Sequence, residues 1–304
     1  MLEICVLGTG AMMPLPERRL AALAVRLDGR LMLIDCGEGT QLAVRASGWS
    51  FKRIDAICLT HFHADHVAGL PGLLLTMGAS GRTDPVRVIG PRGLNQVVAG
   101  LRVIAPELPF ALELEEMDAP VFEAAFGTAR LTGFALEHVI PCYGYALELG
   151  RPGRFDPARA RALGVPVTSW KQLQAGHSVE VAGRAYAPDM VLGPARRGLK
   201  LAYCTDTRPT PSIIEYARDA DLLICEGTYA DPDKADKAAQ YGHMTFADAA
   251  NLAARARAKG LLLTHFSPAI ADPHSDLPAA RAIFERTEAA RDGRHLVLRF
   301  EDVV

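Results

Sequence analysis

Four residue types able to bind a metal fall within six positions, His61-Phe62-His63-Ala64-Asp65-His66. Imidazole nitrogens and carboxylate oxygens both suit zinc, and a loop at a strand terminus turns His61 and His63 toward one ion while Asp65 and His66 face another. The spacing therefore predicts two metals. Taken singly, each histidine reads as an ordinary polar residue, but no helix face accounts for four ligands in six positions. Two metals about 3.5–4 Å apart acidify a shared water and neutralise charge on a reacting oxygen, which is the chemistry of hydrolysis.

Positioning such a cluster requires strands that end at one rim. Apolar runs bounded by Gly, Pro or Asp predict strands over Glu3–Leu7, Ala22–Leu27, Leu31–Asp35, Ala56–Thr60 and Val86–Ile89, and later over Leu201–Thr205, Leu222–Glu226 and Gly260–Thr264. Helical stretches alternate with them over Thr40–Ser47, His66–Met77, Pro91–Gly100, Thr245–Lys259 and Asp276–Glu288. This mixture predicts a layered α/β fold. Three strands end in a polar group just beyond the apolar run, at Thr60-His61, Thr205-Asp206 and Thr264-His265. The rhythm breaks over Arg151–Ala187, which reads as an arm inserted into a single domain spanning residues 1–304.

Composition narrows the class. With 49% hydrophobic residues in 304, the chain has material for a sizeable core. No apolar run approaches the roughly 20 residues of a bilayer span, and the start reads as a strand without a signal peptide's features, so a cytoplasmic protein is expected. The six cysteines are scattered with no C-x-x-C pair and read as buried, reduced thiols. A net charge of −2 excludes a protein whose whole surface holds nucleic acid; an anionic substrate must meet a local patch.

The H-x-H-x-D-H pattern after a hydrophobic strand resembles the signature of the metallo-β-lactamase superfamily. That resemblance implies an αββα sandwich, two mixed sheets flanked by helices, with a dinuclear site at one edge. It also implies a third histidine, a bridging aspartate and a final histidine, which His138, Asp206 and His265 supply in order. By this resemblance His61, His63 and His138 hold one metal, Asp65, His66 and His265 the other, and Asp206 bridges.

Further stretches are similar to the RNase Z family, which trims the 3′ trailer from precursor transfer RNA. They are Leu7-Gly-Thr-Gly10 with Pro14 to Arg19, Ile34-Asp-Cys-Gly-Glu-Gly-Thr-Gln41, Tyr143-Gly-Tyr145, Asp206-Thr-Arg-Pro209, Cys225-Glu-Gly-Thr228 and Tyr241-Gly-His243-Met-Thr245. The resemblance implies a homodimeric endoribonuclease with two zinc ions per subunit, manganese or iron being alternatives. In it Asp65 orients or deprotonates the attacking water, and His243, held by Glu226, protonates the leaving 3′ oxygen. Arg18 and Arg19 contact phosphate or the acceptor end, and Arg151, Arg154, Arg159, Arg161 and Lys171 give the arm a basic face.

The arm departs from the family's Gly-x-Pro-x-Gly-Pro context, since Gly164-Val-Pro166-Val-Thr-Ser-Trp170 lacks the second Gly-Pro. This leaves an alternative, a related metallohydrolase acting on a small phosphodiester or ester. His177, His274 and His295 match no landmark, and Trp49 and Trp170 read as packing groups.

Overall fold

Aliphatic and β-branched runs set the strands of the computed structural model, which describes residues 1–301. The first half carries β1 (Leu2–Gly8), β2 (Ala22–Leu27), β3 (Arg30–Ile34), α1 (Thr40–Ala46), β4 (Ile54–Cys58), α2 (Ala64–Val67), α3 (Leu70–Ala79), β5 (Val86–Pro91), α4 (Leu94–Leu101), β6 (Leu112–Met117), β7 (Val121–Phe126), β8 (Ala129–Leu136) and β9 (Cys142–Arg151). The second carries α5 (Pro157–Ala162), α6 (Val167–Gln174), β10 (Val179–Val181), β11 (Arg184–Tyr186), β12 (Arg196–Cys204), α7 (Pro211–Tyr216), β13 (Leu222–Glu226), α8 (Ala235–Gln240), α9 (Phe246–Ala256), β14 (Leu261–Thr264), α10 (Pro278–Ile283), β15 (Thr287–Ala289) and β16 (Arg294–Leu298).

Two mixed sheets result, in the orders β16-β1-β2-β3-β4-β5-β6 and β15-β14-β13-β12-β9-β8-β7. Cys5, Leu7, Leu31 and Leu33 join a core with Val44, Leu70, Leu73 and Leu74 of the helices. Alternate residues of the same strands, Ile4, Val6, Met32 and Ile34, are equally buried, so this sheet is covered on both faces. The second sheet packs Ala202, Cys204, Leu223 and Leu263 against Ile213, Leu252, Ala253 and Ala280 of α7, α9 and α10. The architecture is the αββα sandwich.

Three local outcomes differ from the expectation. The helix expected over His66–Met77 is broken into α2 and α3 at Gly69, where a β-carbon would fall 2.0 Å from the Gly37 carbonyl oxygen; close approach of backbone, rather than propensity, decides the break. The helix expected over Asp276–Glu288 stops at Ile283, because Thr287–Ala289 pairs in parallel with β14. A strand outside the sequence reading, β16, closes the first sheet against β1. Thr245 caps α9, its hydroxyl accepting from the Asp248 N–H at 3.2 Å.

The described residues divide into two compact units, Met1–Glu148 with Lys200–Arg299, and Leu149–Leu199 with Phe300 and Glu301. The second unit has its own small core of Ala160, Val165, Leu173, Tyr186 and Val191. Trp170 is a packing group there, its Nε1–H donating to the Val165 carbonyl at 3.1 Å. In the first unit Trp49 packs edge-on to His295 at 5.4 Å. All six cysteines are buried and free, and among the described residues no helix is long and apolar enough to cross a membrane.

Candidate metal centre

The seven residues singled out as donors converge from five segments. His61 follows β4, His63 caps α2, and Asp65 and His66 lie within it. His138 follows β8, Asp206 follows β12 and His265 follows β14. Asp206 and His265 adopt left-handed backbone, with φ of 50° and 57°. Asp and His tolerate that region better than bulkier residues, and here it turns each chain sharply out of its strand.

The donor atoms fall into groups whose members lie within 4.8 Å of one another, including His61 with His63 and His138, and Asp65 with His66 and His265. His61 Nε2 is 3.1 Å from His63 Nδ1, which is 3.3 Å from His138 Nε2. His66 Nε2 and His265 Nε2 are 3.2 Å apart and lie 3.1 and 3.0 Å from Asp206 Oδ1. Ligands each about 2.0–2.1 Å from a tetrahedral zinc are separated by roughly 3.3 Å, so these spacings suit a shared cation. Asp206 Oδ1 is buried and has no hydrogen-bond partner, which also fits a site that takes a cation.

Four of the five rings are aimed by the partner of the outer nitrogen; His63 instead turns its Nδ1 inward. Asp35 accepts from His66 Nδ1 at 2.8 Å, and its other oxygen accepts from the Thr60 N–H at 2.8 Å. The Thr60 hydroxyl donates to Asp35 and is 3.0 Å from His61 Nδ1. His138 Nδ1 donates to the Gly242 carbonyl at 3.0 Å, and His265 Nδ1 is 3.1 Å from the Thr228 hydroxyl. Four rings thus point Nε2 inward, the arrangement that raises ligand basicity. Gly242 is required beside His138: its φ is +72°, and a β-carbon would lie 2.6 Å from His138 Nδ1.

Electrostatics divide the site. Burial pushes His61 well below its ordinary value and also lowers His63 and His138, keeping these rings as neutral donors. Burial opposes charge on Asp206, yet His265, His66 and His61 hold its carboxyl well below the carboxylate range. Burial likewise disfavours protonated His265, but Asp206 and Asp65 lift it to about 9. The Asp206 side is therefore electronegative and attracts positive charge.

Next to the donors stands His243, its Nδ1 3.2 Å from Glu226 Oε1. Glu226 is fully buried and accepts from the Thr207 N–H at 2.6 Å, the Thr228 hydroxyl at 2.6 Å and the Met244 N–H at 3.2 Å. Burial disfavours protonated His243, while Glu226 more than offsets this and raises it. The His243 ring lies 5.3 Å from that of His138 and 5.6 Å from that of His265. His243 also forms a candidate donor group with Asp206 and His265.

All of this opens into a cleft of about 1030 Å³ lined by His63, Asp65, His138, Asp206, His243 and His265 among others. Arg18, expected to contact substrate, turns its side chain into the protein. Its guanidinium is buried and donates to the carbonyls of Ser267, Ile270 and Ala271, at 3.2, 2.9 and 3.5 Å, and so holds a loop that lines the cleft. Arg19 is half exposed, 3.7 Å from Asp292, and does not line the cleft. Sequence reasoning passed over Asp35, Thr60 and Thr228 as positioning groups. Each is a polar residue at or just beyond the end of an apolar run, and Asp35 and Thr228 also lie in the stretches similar to the RNase Z family.

An αββα sandwich with histidine and aspartate donors at its strand ends defines the β-lactamase superfamily, and residues 30–266 match the family described as "Beta-lactamase superfamily domain". Over 99% of its length the chain is 50% identical to 99% of a ribonuclease Z from Lachnoclostridium phytofermentans. It is 49% identical, over 99% of its length, to the whole of one from Agathobacter rectalis. It also resembles the crystal structure of human tRNase Z, short form, with a TM-score of 0.71 and 26% identity over 98% of this chain and 100% of that one. The chain belongs to the ribonuclease Z family.

Proposed function

We propose that the protein is a cytoplasmic endoribonuclease that removes the 3′ trailer from precursor transfer RNA. The observation that carries this reading is the convergence, at one cleft, of two donor groups with an imidazole tied to a buried carboxylate. In this reading His61, His63 and His138 would hold one divalent cation, Asp65, His66 and His265 would hold a second, and Asp206 would be shared between them. Zinc fits this nitrogen-rich donor set, with manganese or iron as substitutes.

Bound cations supply an acidified water and positive charge for the phosphate oxygens. Asp65 accepts the Met12 N–H at 2.7 Å through Oδ2, which fixes its carboxylate at the cleft wall to orient the water and take its proton. As the water oxygen bonds to phosphorus, the bond to the 3′ oxygen breaks, and His243 gives that oxygen its proton. Glu226 accepts the other ring N–H, so the acid faces substrate through Nε2. Arg19, half exposed and outside the cleft, is read as a contact to phosphate or the acceptor end, and the Leu149–Leu199 unit is read as an arm with a basic face. A homodimer is the assembly in which we read the enzyme as working.

The test is incubation of the purified, zinc- or manganese-loaded protein with a precursor transfer RNA. Release of the trailer with a free 3′ hydroxyl on the matured RNA is expected. Absence of release, with turnover of bis-p-nitrophenyl phosphate intact, removes the endonuclease reading and leaves a small-substrate phosphodiesterase.

A further inference from the structure

We propose that the cleft wall made by α8 and the segment before it is a nucleotide subsite. In it Tyr229 and Tyr241 stack on a base of the RNA while Lys234 and Lys237 receive the adjoining phosphates. This rests on the endonuclease reading, which by itself assigns no role to these four residues.

Lys234, Lys237 and Tyr241 recur at i, i+3 and i+7 across α8 and its two caps, a single helical face. All three line the cleft, as does Tyr229, whereas the intervening Asp233 and Asp236 do not. From this segment the cleft thus receives two lysines and two tyrosines against one aspartate, Asp231, which also lines it. Asp231 accepts from the Asp233 N–H at 3.0 Å.

Tyr241 is 51% exposed, a large ring left open on a cleft wall. Lys237 Nζ lies 6.0 Å from the centre of the Tyr229 ring, so cation and ring form one surface. The Tyr229 ring is 6.5 Å from that of His243. Backbone pairing of Tyr229 with the strip that follows His243, through the Phe246 N–H to the Tyr229 carbonyl at 2.9 Å, fixes that distance. His243 protonates the leaving 3′ oxygen, so the ring beside it meets the nucleotide that carries this oxygen. Tyrosine faces accept any base by stacking, and lysines take phosphate as point charges. Bis-p-nitrophenyl phosphate has no nucleobase or second phosphate to place here, and a cyclic nucleotide has no second phosphate, so the subsite as a whole favours a polymer.

The experiment uses the full-length, zinc-loaded protein with two RNAs: a precursor transfer RNA, and a stem ending at its mature 3′ nucleotide, which has no bond to cut. In the Lys234→Ala/Lys237→Ala double variant, KM for the precursor is expected to rise about tenfold or more with kcat within about threefold. The slope of log affinity against log salt for the uncut stem should fall by roughly 1.4, about 0.7 for each lysine on single-stranded RNA. Tyr241→Ala should weaken stem binding about tenfold and Tyr241→Phe should restore it. An unchanged salt slope together with equal affinities of Tyr241→Ala and wild type overturns the subsite while wild-type trailer cleavage stands. A wild-type protein that cuts no precursor overturns the endonuclease reading instead. Loss of stem affinity in the variants upholds the subsite in either case.

Discussion

Asp35 Oδ2 lies 2.8 Å from His66 Nδ1, and neither side chain is exposed to solvent. The two residues come from different segments, and Asp35 also takes two hydrogen bonds from Thr60, through its N–H and its hydroxyl. A carboxylate at the back of one ring and a threonine behind the next hold His66 and His61 in register before any ion arrives.

Asp35→Asn removes the charge behind His66 and keeps the volume. The affinity for zinc should fall about 10- to 100-fold, measured by competition with a chromophoric chelator, with the circular dichroism spectrum preserved. Zinc affinity equal to wild type means that the ring is aimed by packing alone.

His243→Ala should lower kcat by about 10²–10⁴ while zinc content stays at the wild-type level. Glu226→Gln acts on the same step through the His243 ring and should lower kcat in the same direction. Asp206→Ala, by contrast, should lose both activity and zinc. Elemental analysis separates these outcomes: equal zinc loss in His243→Ala and Asp206→Ala places His243 among the donors, where its proximity to Asp206 and His265 would also allow it.

Arg18→Ala should destabilise the fold by about 1–3 kcal/mol in urea unfolding, because three loop carbonyls lose a charged donor. Arg19→Ala, at a half-exposed side chain, should change stability by less than about 0.5 kcal/mol. Equal, small effects at the two positions would return Arg18 to the surface.

The six thiols should resist an aromatic disulfide reagent at pH 8 in the native protein and react fully in denaturant. Burial pushes the Cys5 thiol up to about 11 and Cys36 up to about 12, and also raises Cys58, Cys142, Cys204 and Cys225. Each folded thiol therefore stays protonated at pH 8, and the thiolate, which is the nucleophile, is scarce. Rapid reaction of one thiol in the native state would reveal local opening around it.

Much of the site was legible because its pieces are local. Four donors sit in six residues, and two of the distant ones end apolar runs at Thr205-Asp206 and Thr264-His265. Strand positions were legible for the same reason: the Ala22–Leu27 strand has the bounds read from its apolar run. His138 was reached only by resemblance, since a histidine after an ordinary strand carries no spacing signal of its own.

The helix breaks at Gly69 and after Ile283 were not legible. They arise where one backbone approaches another, and a propensity pattern carries no information about a carbonyl thirty-two residues away in sequence. The burial of Arg18 was not legible for a related reason: an arginine beside turn residues looks exposed until the loop it holds is known to fold over it. Residue types and their local spacing determined by themselves that this chain carries metal donors at strand ends. Which candidate donors lie within reach of one another, which hydroxyl or carboxylate sits behind four of the rings, and which cations face the cleft were decided by the tertiary structure, because hydrogen bonds and fields act through space over a few ångströms and are blind to sequence separation.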